Sequence, residues 1–372
     1  MRWPRRLTAV QQVGQLLWIG FEGTTFTPPL ARLLRDVQPG GIILFGRNLP
    51  HEARRLRALT DALVRAVAIP PFIALDQEGG RVSRLRGLLG PTLTGAALGA
   101  RRDAPSAVRR HAEGTAMTLR TLGFNVNFAP VLDLSRAEAD NGIGDRAYGD
   151  DPLTVSRLAG IFAATHTRAG VVPVGKHFPG LGPAVGDTHA VLPVVRTPRA
   201  ALLRRDLLPY RKLRRALPMV MIGHACYPGI QDRDDQPASL SPAVVTDLLR
   251  GTLDYRGLVL TDDLEMGAID QTLGAGALAV AAFRAGSDGL MFCKSEDRIR
   301  DAAATLLVAA RDGRIPADRL RGSLRRIAAL KRRALVARRR LRFTAGSLAR
   351  AKAVLADLGP APVFGPDPTA RT

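Results

Sequence analysis

The feature that most limits the fold is a short apolar run that returns eight times, at 15–21, 40–46, 71–76, 125–134, 171–178, 219–224, 257–263 and 288–293. A turn with polar residues and a longer helical pattern follow these runs. A strand with one wet face alternates apolar and polar residues, whereas an unbroken apolar run suits a strand covered on both faces. The stretches 51–67, 105–122, 152–169, 198–215, 242–251 and 273–285 carry apolar residues at three- and four-residue spacing and read as the covering helices. A doubly wound sheet gives the same alternation. Eight units over about 310 residues, with no linker or composition break, instead predict one closed (β/α)8 barrel over 1–318.

After Pro316 the pattern is helical, with Leu320, Leu324, Ile327 and Leu330 on a stripe between arginines. The segment 319–350 is therefore expected as a basic helical appendage docked on the barrel. The end, with four prolines in 358–372, predicts a mobile tail over 351–372 whose removal leaves turnover nearly unchanged.

Charge enters through that appendage. The chain of 372 residues has 54 Lys+Arg against 33 Asp+Glu, a formal +21, which raises nucleic acid or an anionic polymer as a partner. Residues 319–350 alone hold 11 Arg, 1 Lys and no acid. The rest is a mildly basic globular protein, so the excess reads as a solvated face and nucleic acid is not the expected partner. Two cysteines, Cys226 and Cys293, make no disulfide framework and match no metal spacing, which points to a reducing compartment. The basic start runs into Gln11, Gln12 and Gln15 and reads as a helix leading into a strand. No stretch is long enough to span a bilayer. The expectation is a soluble, cytoplasmic, monomeric protein without membrane partner, metal or other cofactor.

In a barrel of this kind the loops after the strands build the active site. Five strands end in polar groups: Asp76, Gln77 and Glu78; Asp133; Lys176 and His177; His224; Asp262 and Asp263. The loop that follows Lys176 and His177 is rich in glycine and proline and carries Asp187, Thr188 and His189. Residues two apart in an extended loop share a side, so the Asp187 carboxylate can lie beside the His189 ring. A carboxylate on one ring nitrogen fixes the tautomer and makes the other nitrogen a tunable acid or base. The same letters also suit an Asx-type turn with an incidental histidine.

KHFPG followed by GDTH at 176–189, with LDQEGGRVSRL at 75–85 and GLVLTDDLEM at 257–266, resembles family 3 glycoside hydrolases of the bacterial β-N-acetylglucosaminidase type that acts in cell-wall recycling. The likeness runs from about Val13 to about Lys331, with the motifs in the family's order. It implies a single-domain (β/α)8 barrel and retaining hydrolysis through a covalent glycosyl-enzyme. By position, the resemblance makes Asp262 the nucleophile, His189 the general acid/base and Asp187 its supporting acid. Asp76, Arg84, Arg146, Lys176 and His177 match substrate-binding residues. Leu181 stands where related enzymes commonly carry a histidine.

The implied activity is exo-hydrolysis of terminal β-linked N-acetylglucosamine from anhydro-muropeptides. A phosphorylase is the competitor within the class, since a histidine acid/base repels phosphate less than a carboxylate does. A non-catalytic barrel that binds wall fragments or nucleic acid through its basic end is the competitor outside it.

Overall fold

With no polar side to offer to water, each apolar run becomes a buried strand. A computed structural model describes residues 7–136, 141–186, 188, 191–231, 233, 235–269, 272–336, 341, 343–361, 365 and 367–369. All eight expected strands are present: β1 Leu17–Ile19, β2 Gly41–Ile43, β3 Phe72–Leu75, β4 Val126–Asn127, β5 Val172–Phe178, β6 Met219–Ile222, β7 Leu258–Asp263 and β8 Gly289–Phe292. Every neighbouring pair in the ring is parallel. β1 meets β8, with Leu17 opposite Leu290 and Ile19 opposite Phe292, so the sheet closes into a (β/α)8 barrel. β4 is shorter than the run that announced it. Beyond Asn127 the chain carries Pro130, which has no N–H to donate, and stays beside β5 through a bridge from Val131 to Lys176 and a bond from the Val174 N–H to the Ala129 carbonyl at 2.9 Å.

Helices Pro28–Val37, Ala53–Arg65, Ala104–Leu122, Pro152–Ala169, Ala243–Thr252, Ala275–Ala285 and Glu296–Arg311 cover the barrel. The helix expected over 198–215 is broken into Arg199–Arg204 and Leu208–Leu213. Pro209 has no N–H to donate to the turn before it and sits in the first turn of the second helix, where that donor is not needed. Asp206, in the break, is buried and faces Arg136 at 3.3 Å.

The interior depends on two glycines. Trp18 stacks on Phe72 with ring centroids 5.2 Å apart, and a Cβ at Gly41 or Gly289 would come within 2.3 and 2.8 Å of its indole. Real Cβ contacts are not that short, so glycine is required on both sides of β1.

The basic helix Ala317–Lys331 docks through charge as well as through its apolar stripe. Asp288, fully buried before β8, accepts from Arg250 at 2.6 Å, Arg326 at 2.8 Å, Arg319 at 3.3 Å and the Ser323 hydroxyl at 2.6 Å. Burial alone would raise the Asp288 carboxyl, but the three guanidinium groups hold it well below the usual range. At the end of the same helix Lys331 is buried and donates to the Gln15 side chain at 2.6 Å.

A boundary at 350 cuts through structure. Helix Ala345–Ala356 packs on Ala104–Leu122, where Gly114 leaves room for Leu355, and Leu358 is also buried. Residues 367–369 reach the site described below, which a mobile tail over 351–372 did not anticipate. Among the described residues no helix is long and apolar enough to cross a membrane.

Candidate active site

Because all eight strands run the same way, their last residues meet at one mouth of the barrel. There Asp76 follows β3, Lys176 and His177 end β5, and Asp262 ends β7. Together with Arg84 and Arg146 they line one pocket, which brings together six of the eight residues singled out in the sequence. Asp187 and His189 lie outside the described residues. Thr188, between them in sequence, is buried, lines this pocket, and accepts at its carbonyl from the Ala268 N–H at 3.1 Å.

The wall is organised by Glu78, one of the polar strand ends to which the sequence assigned no role. Its sequence neighbour Arg81 pairs with Asp145 at 2.7 Å. Glu78 is buried, takes Arg146 in a two-pronged grip at 2.8 and 2.9 Å, and accepts from Lys176 at 2.7 Å. Lys176 also donates to Asp76 at 2.6 Å. Burial would raise the Glu78 carboxyl, yet Arg146 and Lys176 outweigh it and hold it far below the ordinary carboxylate range. Lys176 feels the reverse: burial disfavours its charge, but Asp76 and Glu78 more than compensate and its pKa is raised. The cluster is therefore fixed in its charged form before any ligand arrives.

His177 is set by Asp133. One carboxylate oxygen accepts from the His177 ring Nδ1 at 2.7 Å and from its backbone N–H at 3.1 Å, and the other accepts from the Leu181 N–H at 2.7 Å. On the other side of the ring Nε2 lies 3.5 Å from the Arg146 guanidinium. Leu181, the departure from the family pattern, is buried and forms apolar wall. Asn141 ties down the same turn, donating towards the carbonyls of Leu181, Gly182 and Ala184 at 2.8, 3.0 and 3.2 Å. Asn141→Ala is expected to cost about 1–3 kcal/mol in denaturant unfolding, because those buried acceptors lose their donor. An unchanged midpoint would contradict this reading of the turn.

The two neighbouring acids at the end of β7 are driven apart. Asp262 accepts the Asp263 N–H at 2.9 Å; burial would raise it, but the positive fields of His224, His177 and Lys176 bring it below its ordinary value. Asp263 is pushed up to about 7 by burial, with Glu265 and Asp262 adding repulsion. One of its oxygens accepts from the Glu265 N–H, and the other has no hydrogen-bond partner among the described residues. Near neutral pH the pair is one ionised and one partly protonated carboxyl, an arrangement that separates chemical roles. His224 holds this strand end, bonding the Asp263 carbonyl through Nε2 at 2.9 Å and Ser239 through Nδ1 at 2.8 Å.

Such a pocket offers an ionised carboxylate on its floor, preset donors and acceptors on its wall, and Met221, Met266 and Met291 as apolar surface. It suits a polyhydroxylated ligand attacked at one carbon. Among the described residues no group of three or more His, Cys, Asp or Glu side chains is placed to hold a metal ion. Glu78, Asp133 and His224 had all been visible as polar strand ends, but their partners depend on the closed ring. Asn141 and residues 367–369 gave no local signal.

The family model described as the glycosyl hydrolase family 3 N terminal domain matches residues 8–330. A β-hexosaminidase of Alkalilimnicola ehrlichii is 40% identical over 291 residues, covering 76% of this chain and 82% of its own. Among solved structures, a family 3 β-N-acetylglucosaminidase from Paenibacillus sp. FPU-7 superposes with a TM-score of 0.87 at 35% identity, over 95% of this chain and 68% of that one. A fungal multi-domain family 3 β-N-acetylglucosaminidase gives 0.88 at 33% identity, over 94% of this chain but 42% of that one. The chain belongs to glycoside hydrolase family 3.

Proposed function

We propose that this protein is a retaining exo-β-N-acetylglucosaminidase that removes terminal N-acetylglucosamine from peptidoglycan fragments, the anhydro-muropeptides, as a cytoplasmic monomer. The observation that carries the reading is the ionised Asp262 on the floor of a pocket walled by Asp76, Arg84, Arg146, Lys176 and His177. The β-hexosaminidase and β-N-acetylglucosaminidase relatives support the choice of sugar.

Retention needs two displacements at the anomeric carbon. Asp262 attacks and forms the glycosyl-enzyme while the leaving oxygen takes a proton from His189. His189 then removes a proton from water, which attacks the same carbon and frees Asp262. Asp187 is assigned as the supporting acid of His189. Asp76, Arg84, Arg146, Lys176 and His177 grip the hydroxyls and the N-acetyl group, so that the carbon sits over Asp262.

The test is hydrolysis of 4-nitrophenyl β-N-acetylglucosaminide, with the first-formed sugar read by NMR. The β-anomer is expected; the α-anomer would overturn retention, and a sugar 1-phosphate formed in phosphate buffer would replace hydrolysis by phosphorolysis. His189→Ala is expected to slow an alkyl glycoside at least about ten-fold more than the nitrophenyl glycoside, because a good leaving group needs little protonation. Equal losses would remove His189 from the acid role.

A further inference from the structure

Described residues beyond the last helix meet the barrel and then the pocket. After helix Ala345–Ala356 the Leu358 carbonyl accepts from Arg101 at 3.2 Å and Ala361 packs on buried apolar residues. Asp367 and Thr369 then meet Arg84, the carboxylate on Nη1 and the hydroxyl on Nη2, while Pro368 and Thr369 line the pocket that holds Asp262. Arg84 is nearly buried, and its other carboxylate, Asp76, stands at 3.8 Å with one oxygen already taken by Lys176. The tail carboxylate is therefore its closest acid among the described residues. Asp367 is itself preset: its Oδ1 accepts from the Thr369 N–H and hydroxyl at 2.9 and 2.8 Å, which leaves Oδ2 for the guanidinium.

We infer that residues 367–369 form the outer wall of the sugar subsite, with Asp367 as the positioning residue for Arg84, and that this wall confines cleavage to single terminal sugars. The inference rests on the reading of Asp262 and Arg84 given above. A sugar whose anomeric carbon lies over Asp262 and whose far hydroxyls reach Asp76 and Arg84 ends against Pro368 and Thr369. A further sugar linked through those hydroxyls would need the space the tail fills. A buried guanidinium deprived of its carboxylate also loses the orientation in which it meets a hydroxyl.

Three proteins test this: the full chain, Asp367→Ala, and a chain ending at Gly365. On the nitrophenyl N-acetylglucosaminide, KM is expected to rise about ten-fold in both variants with kcat within about three-fold, the loss of one charge-assisted grip. On nitrophenyl chitobioside the full chain should release N-acetylglucosamine first, whereas the shortened chain should also release intact chitobiose. Unchanged KM and products would overturn the proposal. A lower KM would too, since it would make the tail a competitor for Arg84. If the full chain prefers another nitrophenyl glycoside, the substrate reading fails, and the same KM comparison on that glycoside still decides the wall.

A readout without turnover uses a nitroxide on Gly365→Cys, the natural Cys226 and Cys293 both being buried. The label should be immobile in the otherwise unaltered chain and mobile with Asp367→Ala. Equal mobility in the two would overturn the anchoring by Arg84.

Discussion

Asp262→Asn is expected to lower kcat on the nitrophenyl N-acetylglucosaminide by about 10⁴-fold or more, while Asp263→Asn stays within about ten-fold of the wild type. The contrast follows from the opposite states of two adjacent acids. Asp262 is held ionised, and an amide in its place has no negative oxygen with which to form the glycosyl-enzyme. Asp263, pushed up to about 7, is partly protonated at neutral pH, and an amide resembles a neutral carboxyl in shape while keeping an oxygen for the Glu265 N–H. Losses of equal size would refute the assignment, as would activity retained by Asp262→Asn.

The same pair makes a stability prediction. The folded-state value of Asp263 is raised from 3.8 to about 7, so its stabilising contribution is complete below the unfolded value and lost as pH climbs through about 7. Asp263→Asn has no such proton to lose. Its stability relative to the wild type should therefore rise by a few kcal/mol between pH 4 and pH 8, as read by denaturant unfolding at each pH. A constant difference would mean that Asp263 is not protonated in the folded chain.

Glu78→Gln is expected to lower kcat/KM by about 10²–10³-fold and stability by about 3–5 kcal/mol, because it leaves two buried cations with one fewer anion. The carboxylate accepts from Arg146 twice and from Lys176 once. An amide keeps one acceptor and turns an N–H against a cation. Since Glu78 holds its partners rather than the substrate, Glu78→Asp should recover part of the stability and part of KM together. Its folded-state pKa is depressed, so its contribution is present above the unfolded carboxylate value and is lost as pH falls towards the folded one. The wild type should thus lose more stability than Glu78→Gln on acidification. A variant with unchanged KM and unchanged stability would show that Arg146 and Lys176 do not need this clamp.

The barrel was legible because burial on both faces writes itself into consecutive residues: the runs around Ile42, Ile73 and Val259 admit no wet side. The break near Asp206 was harder to see, since one proline competes there with a good apolar period. Five pocket residues were legible through long motifs attached to strand ends, and Arg146 through its match to the family outside those motifs. The bonds among them were not, because Glu78 meets Arg146 across 68 positions and Lys176 across 98, distances that no local pattern spans. The tail shows the limit most plainly. Its prolines describe a segment unable to form helix, and nothing in them reveals that Arg84, 283 residues earlier, receives the Asp367 carboxylate.

Ring closure also governs how the molecule is made. β1 leaves the ribosome early, but its partner β8 is encoded some 270 residues later, and the Lys331 link to Gln15 later still. At ordinary elongation rates β1 must wait on the order of tens of seconds for the strand that covers its open edge. An uncovered apolar edge is a template for pairing between chains. Slower elongation over the second half of the message should therefore lower the soluble yield of this protein, and chaperones that shield strand edges should restore it.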